Sequence, residues 1–115
     1  MPSTFRGSDN FDTAGGNAVK AWVNFNGTGT VAIRASFNVS SITDNGTGDY
    51  TVNFATALPD ANYAAVGVAQ VGLITGGIFF GPYVNAPTTS AYRCVGTNFG
   101  GAPSDLEYAS LAFFR

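Results

Sequence analysis

Val19-Lys20-Ala21-Trp22-Val23-Asn24-Phe25-Asn26-Gly27-Thr28-Gly29-Thr30-Val31-Ala32-Ile33-Arg34 is the stretch that decides the fold. Val19, Ala21, Val23 and Phe25 fall on one side of an extended chain and Lys20, Trp22 and Asn24 on the other, the period-two pattern of a half-buried strand. Asn26-Gly27-Thr28-Gly29 supplies residues that accept positive φ, so the chain folds back into Thr30 to Arg34, where Val31 and Ile33 alternate with Thr30 and Ala32. The product is a β-hairpin.

The same logic extends along the chain. Phe37, Val39 and Ile42 continue the β pattern, Asp44-Asn45-Gly46-Thr47-Gly48-Asp49 reads as a second turn, and Tyr50, Val52 and Phe54 resume alternation. Pro59-Asp60-Ala61-Asn62 is a further turn. Tyr63 to Val71 is apolar or small on both faces, which predicts a strand covered on both sides, either centrally or beneath a neighbouring subunit. Gly76-Gly77 leads into Ile78-Phe79-Phe80, with Pro82 limiting that strand to an edge or a break. Ala91 to Thr97 and Glu107 to Phe114 are the last strand candidates. Fifteen glycines and the absence of an i, i+3, i+4, i+7 apolar face exclude helices. The expected fold is all-β, a small antiparallel β-sandwich over residues 19–115. Residues 1–18, rich in Gly, Ser, Asp and Asn, read as an extended N-terminal arm with Phe5, Arg6 and Phe11 as its candidate attachment residues.

With 115 residues the chain has room for one domain. Such a domain buries only roughly 65% of its unfolded surface and gains from burying more in an oligomer. Charged residues make up 10% of the chain, against about 25% in ordinary domains, while apolar content is a normal 45%. A surface this poor in charge suits a protein covered by copies of itself, and Trp22, Val66 and Val68 are the candidate subunit interface. The five basic residues are scattered, which argues against nucleic acid, and no apolar run reaches the ~18 residues of a membrane span. The chain therefore reads as soluble, without membrane insertion or a secretion signal.

Chemistry is sparse. With no histidine, Ser-His and Cys-His nucleophile pairs and His-based metal sites are excluded. A lone Cys94 makes an internal disulfide impossible and reads as a buried thiol. Asp44 and Asp60 read as turn residues, and the Asp44–Asp49 spacing fails the pattern of an EF-hand calcium loop. The Asn-x-Ser/Thr triplets at Asn26, Asn38 and Asn45 follow from composition. No catalytic residue, metal site or cofactor is expected, and the chain reads as a non-enzyme. Tyr83, Asn85 and Tyr92, near Pro-, Asn- and Thr-rich turns, are the candidate receptor contacts. Trp22 lies on the strand face opposite the core, where it would pack across an interface or stack on a sugar.

The run from Lys20 to Gly29, with Arg34, Ser36-Phe37-Asn38-Val39-Ser40 and Ile42 to Tyr50, resembles a family of C-terminal domains in bacteriophage tail fibres and related virion proteins, common among marine phages. Pro59-Asp60-Ala61-Asn62-Tyr63 extends the likeness and Phe114-Arg115 is similar to the family's aromatic-then-Arg ending, whereas residues 64–106 match only in general character. The resemblance implies a β-rich tip domain, usually a homotrimer, on the exterior of the virion, contacting a host cell-surface glycan or protein. Family members commonly carry a long stalk where this sequence has 19 residues before Lys20. The alternative expectation is thus a capsid decoration or head-fibre protein, or an adaptor docked on other virion proteins through its arm. The family supplies no catalytic residues.

Overall fold

The structure, a computed structural model, describes residues 18–71, 74–80, 87–98 and 100–115. These form eight strands: β1 (Val19–Asn26), β2 (Ala32–Phe37), β3 (Val39–Gly46), β4 (Asp49–Phe54), β5 (Ala64–Val71), β6 (Ile74–Phe80), β7 (Ala91–Thr97) and β8 (Tyr108–Phe114). All pairings are antiparallel, and the strands follow the order β2-β1-β8-β5-β6-β7-β4-β3. The ribbon is folded into two packed sheets, a β-sandwich as the alternation predicts.

Two corners make the fold. At one, β6 pairs with β5 through Ile74, Thr75 and Gly77, then with β7 through Ile78, Phe79 and Phe80, so a single strand passes from one sheet to the other. Gly76-Gly77 lies inside this strand, at the change of partner, where the absence of side chains favours a sharp bend. Each half of β6 thus has a partner on one side only, Ile74 to Gly77 at the edge of one sheet and Ile78 to Phe80 at the edge of the other, in keeping with the edge position read from Pro82. At the other corner only Asn38 separates β2 from β3, with φ of 57°, the one non-glycine in the left-handed region among the described residues. Its amide donates to the carbonyls of Lys20 and Thr56, both at 3.0 Å, and its Oδ1 accepts from the N–H of Thr56 at 2.7 Å. Asn38 therefore stitches β1, the β2–β3 corner and the exit from β4 together.

The core lies between the sheets. Ala21, Val23 and Phe25 of β1 and Ala109, Leu111 and Phe113 of β8 meet Tyr50, Val52 and Phe54 of β4 and Tyr92 and Cys94 of β7, all buried. Phe113 is ringed by Phe54, Tyr63 and Tyr92 at centroid distances of 5.0 to 5.8 Å, with edge-to-face tilts that favour aromatic pairs. The buried position of Cys94 matches expectation, and desolvation pushes its thiol up to about 12.

One end of the sandwich is closed by the segment leading into β8. The Tyr50 hydroxyl donates to the carbonyl of Gly27 and accepts from the N–H of Leu106, each at 3.0 Å, while the Gly27 N–H donates to the Leu106 carbonyl at 2.6 Å. The close approach requires glycine: a Cβ on Gly27 would collide with the Tyr50 hydroxyl, and one on Gly96 would enter the buried Leu106 side chain. Gly48, at φ 68°, donates to Asp105 Oδ1 at 2.9 Å and meets the backbone of Ser104. The second turn is therefore confined to Thr47-Gly48, with β3 running on to Gly46.

Replacing Tyr50 with Phe leaves the Leu106 N–H and the Gly27 carbonyl without this partner in a buried site. The expected loss is about 1–3 kcal/mol, read as a lower urea midpoint with unchanged denaturant slope.

Candidate association surface

The outward faces of the two sheets differ in kind. On the β3–β4–β7 sheet, Ser41, Thr43 and Asn45 of β3 lie beside Asn53, Thr51 and Asp49 of β4. Asn53 donates to Ser41 Oγ and Thr43 Oγ1 at 3.1 and 2.9 Å, and Asn45 donates to Thr51 Oγ1 at 2.7 Å. Arg93 of β7 grips Asp49 with two hydrogen bonds, Nε to Oδ1 at 2.9 Å and Nη2 to Oδ2 at 2.6 Å. That hydrogen bond to Arg93 holds the Asp49 carboxyl below its ordinary value, against the opposing effect of desolvation. This is a polar face whose groups bond one another across the strands.

The opposite face, on β2, β1, β8 and β5, is apolar. The ladder register sets Phe37 against Trp22, Trp22 against Ala112, and Ala112 against Val66, so the four form one row across four strands. The next row runs Ala35, Asn24, Ser110 and Val68. Trp22 is 39% exposed, Phe37 52%, Val66 56% and Val68 72%. Small residues on β8 leave an open groove of about 430 Å³ between Trp22 and the two valines, floored by Ser110 and Ala112. Asn24 donates to Ser110 Oγ at 2.8 Å and accepts from Arg34 at 3.3 Å, so the two polar side chains that line the groove are bonded to each other. Arg34 also donates to the Glu107 carbonyl at 2.6 Å and stacks its guanidinium on Tyr108 at 3.9 Å, a cation–π contact at the groove's rim.

Trp22, Val66 and Val68, read from sequence as a candidate subunit interface, lie on one surface. Their alignment depends on β8 lying between β1 and β5, a long-range pairing. Phe37, Tyr108 and Phe114, also exposed on these strands, were missed; splitting Tyr108 to Phe114 into its two faces would have found two of them. Tyr92 is a correction: it is 7% exposed, because position 92 alternates inward from β7 and packs on Phe113 and Tyr63. It has no surface to offer a receptor. Phe5, Arg6, Phe11, Tyr83 and Asn85 lie outside the described residues.

The turn carboxylates behave partly as anticipated. Asp44 Oδ1 accepts from the Gly46 N–H at 3.1 Å and Asp60 Oδ1 from the Asn62 N–H at 2.8 Å, both local turn bonds. Asp60 additionally forms a bidentate pair with Arg115 at 2.9 and 2.8 Å, which holds its carboxyl at about 2. Both Asp49 and Asp60 spend their oxygens on arginines, and among the described residues no three His, Cys, Asp or Glu side chains lie close enough to hold a metal ion.

No protein-family model, curated protein or solved structure matches the chain.

Both pairs carry a pH signature. A carboxyl depressed in the folded state stabilises fully above its unfolded value near ~4, and that stabilisation is lost as pH falls through the folded value, about 2 for Asp60. The urea midpoint is expected to fall on acidification below about pH 4, and the Asp49→Asn and Asp60→Asn variants are expected to show a shallower fall.

Proposed function

We propose that the protein is a structural component of a bacteriophage virion, a homotrimeric tail-fibre or appendage tip on the particle's exterior that contacts the host surface. It works by association rather than catalysis. The observation that carries the reading is the two-faced sandwich. Sheet faces rich in exposed Trp, Phe and Val are uncommon on isolated monomers and mark contact surfaces, and here the apolar row is continuous while the polar face is complete in itself. Packing the apolar faces of three copies toward a common axis leaves the Ser/Thr/Asn face turned outward, toward solvent and host.

The sequence resemblance over residues 20–63 supports the same assignment. The residues that carry it do structural work: Gly27 and Tyr50 close one end of the sandwich, Asn38 turns a corner, and Asp49 anchors Arg93. A motif of this kind preserves a scaffold while leaving the recognition loops free to vary, as host attachment demands.

Gold-labelled antibody to the protein, applied to purified phage particles, is expected to decorate the tail or its appendages. Label on the head would make it a decoration protein instead, and particles without label would overturn the reading. Light scattering of the pure protein is expected to give three times the chain mass. Val68→Glu, at a position 72% exposed and thus harmless to the isolated fold, is expected to shift the protein to monomer with an unchanged circular-dichroism spectrum, because it places a charge in the packed face.

A further inference from the structure

Resting on the oligomeric reading above, we infer that the groove between Trp22 and Val66/Val68 is the seat of the N-terminal residues 1–17 of a neighbouring copy, with Phe11 lodged over Ala112.

Four observations converge on this occupant. The first is chemical. Trp22, Val66, Val68 and Ala112 line the groove, and its two polar side chains, Asn24 and Ser110, are bonded to each other. Such a trough takes an apolar group and has little to offer a sugar hydroxyl, which needs unpaired donors and acceptors. The second is composition. Residues 1–17 carry only two large aromatic side chains, Phe5 and Phe11, among small and polar neighbours. Six positions separate them, an even number, so both fall on the same side of an extended chain.

The third is where the chain leaves the sheet. Ala18 and Arg115 exchange backbone hydrogen bonds at 3.2 and 3.1 Å, in the last row of the β1–β8 ladder. Ala18, where the described chain begins, therefore lies beyond the groove, whose nearest row is that of Trp22. Seventeen residues, if extended, span up to roughly 55 Å, ample to cross onto a neighbour packed against the same face. The fourth is charge. Lys20 and Arg34 are the cations of the face around the groove, and the charges flanking Phe11 in sequence are Asp9 and Asp12. A complementary pattern of this kind fixes register more than affinity.

Disulfide trapping tests the inference, and the wild-type chain suits it because Cys94, its sole cysteine, is 1% exposed. Chains carrying Phe11→Cys and chains carrying Val68→Cys, mixed through a dissociated state and oxidised, are expected to yield disulfide-linked heterodimers several-fold above what either forms alone. A chain carrying both substitutions that closes on itself, with no heterodimer in the mixture, would overturn the inference: Gly15-Gly16 would then have returned the arm to its own groove. Absence of both products while light scattering still shows an oligomer would also overturn it and leave the oligomeric reading standing. A monomeric wild-type protein would remove that reading and this inference together.

Discussion

A single phenolic hydroxyl, that of Tyr50, holds the closed end of the sandwich. It reaches across the core from β4 to the backbone of Gly27 at the β1–β2 hairpin and of Leu106 ahead of β8, satisfying a carbonyl and an N–H that burial would otherwise strand. Burial raises its pKa, so it remains a neutral donor throughout the ordinary range. Around it the backbone is drawn so close that Gly27 and Gly96 have no room for a Cβ. Leu106, fully buried, plugs this end. Registration of β1, β4 and β8 follows from that junction, and with it the alignment of every row on the outer faces.

That alignment is what gives the molecule two unlike sides. Fixing Ala112 between Trp22 and Val66 builds an apolar row out of residues from three separate strands. Fixing β3 on β4 lets Asn53 and Asn45 span to the hydroxyls of the neighbouring strand. With charged residues at 10% of the chain, little charge repulsion would keep copies apart if their apolar faces met. A domain this small gains proportionally more from such cover than a large one.

Local alternation made much of the fold legible. Ala21 to Phe25 and Tyr50 to Phe54 showed their buried faces directly, whereas Val19, read onto the same face, is exposed beyond the register shift between Val19 and Ala21; the turns at Asn26 to Gly29 and Pro59 to Asn62 carried their own chemistry. What failed was whatever depended on distant partners. That β6 changes partner at Gly76-Gly77 and is shared between the sheets depends on β5 and β7, and no local pattern shows it. Tyr92 looked like a surface tyrosine from its Thr-rich neighbourhood, although position 92 points at Phe113. The Asp49–Arg93 and Asp60–Arg115 pairs join residues 44 and 55 positions apart, beyond any local pattern. For the candidate surface, sequence named three of its residues but could not show that they adjoin, since the strand that unites them comes last in the chain.

Trp22 is the only tryptophan, so its fluorescence reports on the apolar face without labelling. Acrylamide quenching of the pure protein across a dilution series is the most direct measure of whether that face is covered. The account predicts weak quenching at high concentration that rises on dilution, as copies separate and the half-exposed indole meets solvent. Strong quenching at every concentration, from a protein that stays folded, would contradict it.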